Sequence, residues 1–259
     1  MLASERRALI ADMVKSQSAV TTAELMGKFN VSFETIRKDL MVLEKNGELE
    51  RVHGGAVKRA TAGRWYKLPE RIEANKKEKM ELSRLAMRLI IERDTIAVDA
   101  GSTAFEFADE LKKNFSSLTV VTHSLGVFNK LIGHRNFNVI LCGGYYLSEE
   151  NSFYGAFTIK MLDDIHVNKV FVFPSAISIK KGISDYNPIL CEIQKKLITI
   201  GDKVIILADS SKYEKTALIK VCSLSEKFIY ISDSSLPSKI KEIYMNNNIK
   251  IITESEEIV

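Results

Sequence analysis

From residue 80 onward, short apolar runs alternate with helical patterns, and this alternation constrains the fold more than any other feature of the 259-residue chain. The runs are TIAVD (95–99), LTVVT (118–122), NVILC (138–142), KVFVFP (169–174), KVIILA (203–208) and FIYIS (228–232). Helical spacing fills the intervals 80–92, 103–113, 124–132, 152–164, 187–200 and 236–246. Strands that are apolar at almost every position need cover on both faces, which a parallel sheet flanked by helices provides. An α/β domain over 80–259 with a mainly parallel sheet is therefore expected, with its ligand site beyond the carboxyl ends of the strands.

Polar residues gather at those ends. After the first run comes Asp99-Ala-Gly-Ser-Thr103, in which Gly101 permits a tight turn and Ser102 and Thr103 open a helix. The free N–H groups of a helix start suit an anion, although an ordinary strand-to-helix turn with a hydroxyl cap uses the same residues. Thr122-His123-Ser124 closes the second run, Gly143-Gly144 the third, and Asp209-Ser-Ser-Lys212 the fifth. His123 reads equally as a ligand group or a satisfied structural histidine. Lys212 reads as a phosphate partner or as an exposed loop lysine.

The N-terminal residues 1–57 carry a different pattern. Thr21 or Thr22 caps a helix with Ala23, Leu25, Met26 and Phe29 at helical spacing, and Asn30 breaks it. Ser32 caps a second helix whose Ile36, Leu40 and Leu43 form an apolar stripe, with Thr35, Arg37, Lys38 and Asp39 opposite. Two helices joined by so short a turn have the geometry of a helix-turn-helix, the second entering the major groove of DNA. Asn46-Gly47 ends that helix. Residues 48–57 then read as a β wing with Arg51 and His53 exposed and Gly54-Gly55 at its tip. Net charge does not carry this reading, because residues 1–60 hold 10 Lys and Arg against 8 Asp and Glu. Residues 58–79 are polar and read as a linker. Its Lys58, Arg59 and Arg64 are solvated or touch DNA backbone, and Trp65 and Tyr66 anchor it to one of the domains.

The stretches RRALI (6–10) and VSFETIRKDLMVLEKNGELERVHGGA (31–56) resemble the N-terminal signature of the DeoR family of bacterial transcriptional regulators. VDAGST, VVTHS, ILCGG, SFYGA and LADSSK resemble, in order, the effector-domain loops of the same family, so the resemblance covers nearly the whole chain. It implies a winged helix-turn-helix domain joined to a sensor domain similar in fold to ribose-5-phosphate isomerases and CoA-transferases. It also implies DNA contacts from Ser32, Thr35, Arg37, Lys38, Arg51 and His53. For a phosphorylated sugar or polyol-derived effector it implies a pocket lined by Asp99, Gly101, Ser102, Thr103, Thr122, Gly143, Gly144, Gly155 and Lys212. Asp99 is expected to accept from a sugar hydroxyl, since like charges keep a carboxylate from phosphate.

Departures from the family pattern fall inside that pocket. His123 stands where asparagine is usual, and Phe173-Pro-Ser-Ala176 replaces a glycine-rich segment. Ile189 and Gln194 replace a common acidic residue and a common lysine, so Glu192 is expected to take over as the acidic group. Polar partners have been lost and bulk gained. The effector is thus expected to differ from the commonest phosphosugars, a ketose phosphate or an inositol-derived phosphate being examples.

The remaining features narrow the class. Three cysteines at 142, 191 and 222 have neither disulfide nor metal spacing, and the expectation is reduced, buried thiols with no metal and no cofactor. No apolar run approaches the roughly 20 residues of a membrane span, so a cytoplasmic, membrane-independent protein is expected. Operator DNA, the effector and further copies of the chain, as a dimer or tetramer, are its expected partners. A sugar-phosphate isomerase carrying a DNA-binding appendage is the alternative. Enolisation would recruit Asp99 as base and Lys212 as cation, but Ile189 removes a carboxylate and no glutamate sits on a glycine-lined loop. Repression, the family's usual mode, is the expected sense of regulation.

Overall fold

The computed structural model describes residues 2–17, 19–46, 48–52, 55–57, 67–134 and 136–254. The chain divides into two compact units, Met1–Ala62 and Gly63–Val259.

In the first unit, helix α1 (Ala3–Gln17) leads through strand β1 (Ala19–Thr21) into α2 (Thr22–Phe29) and α3 (Phe33–Lys45), followed by β2 (Glu50–Val52) and β3 (Gly55–Val57). Of the two candidate caps for α2, Thr21 is used, in a capping box. Its hydroxyl accepts from the Glu24 N–H at 3.2 Å, and the Glu24 carboxylate accepts from the Thr21 N–H at 2.8 Å. Asn30 in the left-handed region (φ 50°) ends α2, and Ser32 caps α3. Ile36, Leu40 and Leu43 face a core made with Ile10, Val14, Val20, Leu25 and Leu49. Asp39 departs from the sequence reading. It is buried rather than on the solvent face, and it accepts from Arg6 Nε at 2.6 Å, which ties α3 to α1. The wing is a three-stranded sheet in the order β1-β3-β2, whose third strand, Ala19–Thr21, ends in the cap of α2 and was not read from the sequence.

The second unit opens with α4 (Leu68–Glu73) and α5 (Lys76–Met87). The polar stretch read as linker through Lys79 is therefore helical from Leu68, because Pro69 sits in the first turn, where its missing N–H costs nothing, and Leu68 and Lys79 are buried. The chain then runs through β4 (Thr95–Val98), α6 (Ser102–Asn114), β5 (Leu118–Thr122), α7 (Leu125–Leu131) and β6 (Phe137–Leu141). A hairpin of β7 (Tyr145–Leu147) and β8 (Ser152–Tyr154) precedes α8 (Ala156–Asp163) and β9 (Val167–Val172). Next come β10 (Ala176–Ser178), β11 (Gly182–Asp185), α9 (Pro188–Leu197), β12 (Gly201–Leu207), β13 (Ile219–Cys222) and β14 (Ile229–Ile231), with α10 (Ser238–Met245) and β15 (Ile251–Ile252) at the end.

Seven strands form one parallel sheet in the order β15-β14-β12-β9-β4-β5-β6. Alternate residues of β4 show why the runs are apolar throughout. Ile96 and Val98 pack with Leu82, Phe107 and Leu111 on one face, whereas Ala97 packs with Leu162, Ile193 and Leu197 on the other. The antiparallel pieces, β7 with β8 and β10-β11-β13, were missed by the sequence reading. Each strand is three or four residues long, too short to show a period, and β8 lies inside a span read as helix.

The chain lays down β4, β5 and β6 in one direction across the sheet, then returns to β9 on the other side of β4. The crevice between the carboxyl ends of β4 and β9 is the topological switch point, where ligands bind in open α/β sheets. Asp99 follows β4 and Phe173 follows β9, so both stand at its rim.

Candidate functional site

The exposed face of α3 is built by the same periodicity that buries Ile36 and Leu40. Phe33, Arg37 and Met41 follow one another at four-residue intervals and are exposed, with Glu34 and Lys38 beside them. Phe33 was not singled out from sequence, since an aromatic at helical spacing ordinarily belongs to a core; it is 53% exposed. Arg37 lies along its own helix, donating from Nε to Glu34 Oε1 at 3.0 Å and from Nη2 to Glu34 Oε2 at 3.1 Å. A solvated pair at this spacing is worth only a few tenths of a kcal/mol, so it holds the guanidinium ready without fixing it. The arginine also lowers the pKa of Glu34 below its ordinary value, by hydrogen bonding first and by charge second.

Ser32 and Thr35 are occupied differently. The Ser32 hydroxyl caps α3 by accepting from the Thr35 N–H at 3.4 Å, and the two hydroxyls stand 3.0 Å apart. Lys38 is exposed. Arg51 is also exposed, on the wing, with its N–H donating to Glu44 Oε1 at 3.0 Å. His53 and Gly54 lie outside the described residues, as do Lys58, Arg59, Arg64, Trp65 and Tyr66.

In the second unit Asp99 is the centre of the switch point, 1% exposed. Its Oδ1 accepts from the Ala100 N–H at 2.8 Å, and its Oδ2 from the Phe173 N–H at 3.3 Å and Gln194 Nε2 at 2.9 Å. His123 Nε2 stands 3.1 Å from Oδ1 and 3.2 Å from the Ala100 nitrogen. The other ring nitrogen, Nδ1, faces the Phe153 carbonyl at 2.9 Å, which only accepts, so Nδ1 carries a proton. Nε2 accepts from Ala100 in the neutral ring and donates to Asp99 in the charged one. With its oxygens taken up in this way, the Asp99 carboxylate holds the walls of the site together instead of presenting itself to a sugar hydroxyl.

Thr122 is likewise internal. Its hydroxyl donates to the Val98 carbonyl at 2.8 Å and accepts from the Ser124 N–H at 3.1 Å, joining β5 to β4. Gly101 caps α6 at φ 120°, a conformation that favours glycine, with Ser102 half-buried and Thr103 buried behind it. The Gly143 carbonyl accepts from Thr158 Oγ1 at 3.0 Å, Gly144 leads into β7, and Gly155 precedes α8. Glu192 does not join the cluster. It lies on the exposed side of α9, while Gln194, read from sequence as a lost cation, is buried and reaches Asp99. A helix turns about 100° per residue, so two positions carry a side chain to the opposite face.

Several charged residues that the sequence reading passed over converge here. Glu150, between β7 and β8, is fully buried and ion-paired with Arg71 Nη2 of α4 at 2.5 Å. Asp185, at the end of β11, accepts from Ser175 Oγ at 2.9 Å, and burial pushes its carboxyl above the ordinary range. Lys79 is 3% exposed and donates from Nζ to the Arg71 and Ala74 carbonyls. Burial pushes its ammonium down to about 8. Asp209 opposes that shift, Lys212 and Arg71 add to it, and Glu106 of α6 opposes it. Lys212 is half-buried in a short turn after β12 that Asp209 caps. Arg71 and Lys212 thus both lie close enough to Lys79 for their charges to act on it. Two buried acceptors, Asp209 Oδ2 and Gln194 Oε1, have no hydrogen-bond partner among the described residues. Sequence alone held no signal for Arg71, Lys79 or Glu150, since each sits in an ordinary run of charge.

Away from this cluster, a surface depression of about 460 Å³ lies at the amino ends of β14 and β15, lined by Ser223, Ser225, Glu226 and Asn247 among others. It brings together no comparable set of charges. All three cysteines are free, and burial pushes each thiol up to about 11. No helix among the described residues is long and apolar enough to cross a membrane.

A winged helix-turn-helix whose second helix exposes Arg37 and Lys38, followed by an α/β unit with a polar site at its switch point, defines a ligand-sensing DNA-binding regulator. The DeoR-like helix-turn-helix domain matches residues 6–61, and the DeoR C-terminal sensor domain matches residues 74–234. The chain belongs to the DeoR family of transcriptional regulators. It is 34% identical over 94% of its length to an uncharacterized helix-turn-helix transcriptional regulator of Bacillus subtilis strain 168, YulB, of which it covers 94%. It is 32% identical over 95% of its length to the L-fucose operon activator of Haemophilus influenzae, of which it covers 98%. Among solved structures, ribose 5-phosphate isomerase A of Methanocaldococcus jannaschii is similar at TM-score 0.39 and 15% identity, over 54% of this chain and 55% of that one. A likeness so distant carries no argument for enzymatic activity, and the family is one of regulators.

Proposed function

We propose that the chain represses a sugar or polyol catabolic operon and is released from operator DNA by a phosphorylated sugar or a related metabolite. The observation that carries the effector is the polar cluster at the strand ends, where Arg71, Lys79 and Lys212 supply positive charge around Asp209, whose Oδ2 is partnerless, and where Gln194 Oε1 stands partnerless beside Asp99. Cations suit a phosphoryl group, which the start of α6 at Gly101, Ser102 and Thr103 would also receive. The buried acceptors suit sugar hydroxyls. Gly143, Gly144 and Gly155 form the backbone wall. Asp99, Thr122 and His123 act as positioning residues, and Glu192 has no part.

On the DNA side, Arg37 and Lys38 supply the charged contacts of α3, Thr35 lies at its first turn, and Ser32 fixes its start. Arg51, with His53, contributes from the wing. The effector site and the reading helix are both used in the cytoplasm, where the operator is. A homo-oligomer would place two α3 helices in successive major grooves about 34–36 Å apart. The fucose relative is named an activator, so this architecture serves both senses of regulation, and repression rests on the family's usual mode.

Selection of fragments of the host genome by the full-length protein near 0.15 M salt tests the reading. A few enriched sites are expected, and the genes beside them name the pathway. Arg37→Ala should lose about 1–3 kcal/mol of specific binding, whereas Lys38→Ala should weaken all sequences alike and flatten the salt dependence. Uniform, salt-sensitive retention of every fragment would reject sequence-specific regulation.

A further inference from the structure

The junction of α4 and α5 is held by the effector loop in an unusual way. Asn75 adopts a left-handed conformation (φ 51°, ψ 39°), which sets the bend between the two helices. Its side-chain amide donates to Asp209 Oδ1 at 3.2 Å and to Ser211 Oγ at 3.0 Å, and Ser211 Oγ donates in turn to Asp209. A non-glycine residue seldom takes this conformation, though asparagine tolerates it better than most, so bonds to the side chain help decide whether the bend persists.

Two further ties hold α4 in place. Arg71 pairs with the buried Glu150 of the β7–β8 loop. The Lys79 ammonium, one turn into α5, caps the α4 carbonyls of Arg71 and Ala74. Each tie ends on, or beside, a group of the site described above. In sequence, α4 is the first helix after residues 58–66, through which the chain comes from the DNA-reading unit.

We propose that α4, hinged at Asn75, is a strap whose fastening to the Asp209–Lys212 loop reports occupancy of the effector site to the DNA-reading unit. The proposal rests on the effector reading given above. A phosphoryl group that draws Lys79 competes with the Arg71 and Ala74 carbonyls for its ammonium, and a ligand hydroxyl that donates to the open Asp209 Oδ2 pulls the carboxylate, with its Oδ1, away from Asn75. The bend then loses its fastening. The ligand shifts the equilibrium by making different contacts in the fastened and released states, as any allosteric effector must.

The experiment uses the full-length protein, a fragment carrying a selected operator, and a panel of glucose 6-phosphate, fructose 1-phosphate, fructose 6-phosphate, ribose 5-phosphate and myo-inositol 1-phosphate. Three readouts are taken: the melting temperature, the operator affinity, and amide exchange over residues 68–79. Asn75→Gly keeps the bend but removes the side chain. Asn75→Asp keeps the conformational preference but sets a second carboxylate against Asp209, and it serves if the glycine variant folds poorly. In the wild type, a compound that raises the melting temperature should speed exchange over 68–79 at least threefold and change operator affinity about tenfold, equivalent to about 1.4 kcal/mol. In either variant the melting shift should remain, exchange should be fast without ligand, and the ligand should change operator affinity less than twofold. Variants that bind the compound and release operator as the wild type does would overturn the strap and leave the effector reading standing. A wild type whose melting temperature responds to no compound in the panel would count against both.

Discussion

Asp99 illustrates how a single buried carboxylate arranges the parts of a site that are far apart in sequence. Its acceptor oxygens join the turn after β4, the turn after β9 and the middle of α9. Asp99→Ala would leave the Phe173 N–H and the Gln194 amide buried without their acceptor, at a cost of roughly 3 kcal/mol or more. Urea unfolding at neutral pH measures this, and a loss below about 1 kcal/mol would show that the cluster relaxes around the gap. The residue types at the site were legible in the sequence, because Asp99, Gly101, Thr122 and Lys212 all follow apolar runs. Their roles were less so. Whether a carboxylate faces a ligand or is saturated by the protein depends on which N–H groups other loops bring to it, and Gln194 arrives from 95 residues away.

At the scale of elements, the parallel strands and most helices followed from apolar spacing, whereas α1, α4 and the short antiparallel pieces did not. The wing is the clearest case. Gly55 in β3 lies so close to β1 that a Cβ there would stand 2.2 Å from the Val20 carbonyl oxygen and 3.0 Å from Thr21 Cα. Backbone cannot yield as a flexible side chain can, so Gly55→Ala should part β3 from β1. Operator affinity is expected to fall at least tenfold, while the melting shift given by an effector, which reports on the sensor unit, is unchanged. A titration of operator by the variant that matched the wild type would mean that the sheet of the first unit adapts. Strand β1 itself is three residues, and pairing with a strand from the far end of the domain is the reason it exists.

For the whole molecule, stability in alkaline solution reports on the buried charge at the strap. The Lys79 ammonium is held at about 8 against an ordinary 10.5. Below pH 8 both folded and unfolded chains carry the proton, and burying it costs stability. Between pH 8 and 10.5 the unfolded chain still binds a proton that the folded chain has given up, so stability rises with pH, by about 3 kcal/mol across the window. The three thiols act the other way. Raised to about 11 from 9, they hold stability that is complete below pH 9 and is lost as the pH climbs toward 11. Comparing the wild type with Lys79→Met cancels the thiols. The difference in unfolding free energy should move in favour of the wild type by about 3 kcal/mol from pH 7.5 to 10.5, and two parallel profiles would place the ammonium in water instead.

The sequence by itself determined the two-part plan, the parallel sheet and the class of regulator, because each is written in local terms: apolar periods, caps, and short motifs at strand ends. Only the tertiary structure decided that Arg71 and Lys79 come together beside Glu150 and Asp209, that Asp39 is buried against Arg6, and that Gln194 rather than Glu192 turns inward. Those outcomes depend on which surfaces meet when the elements pack, and on the cost of leaving a charge or an amide buried without a partner. Neither quantity exists until residues distant in the chain have been brought together.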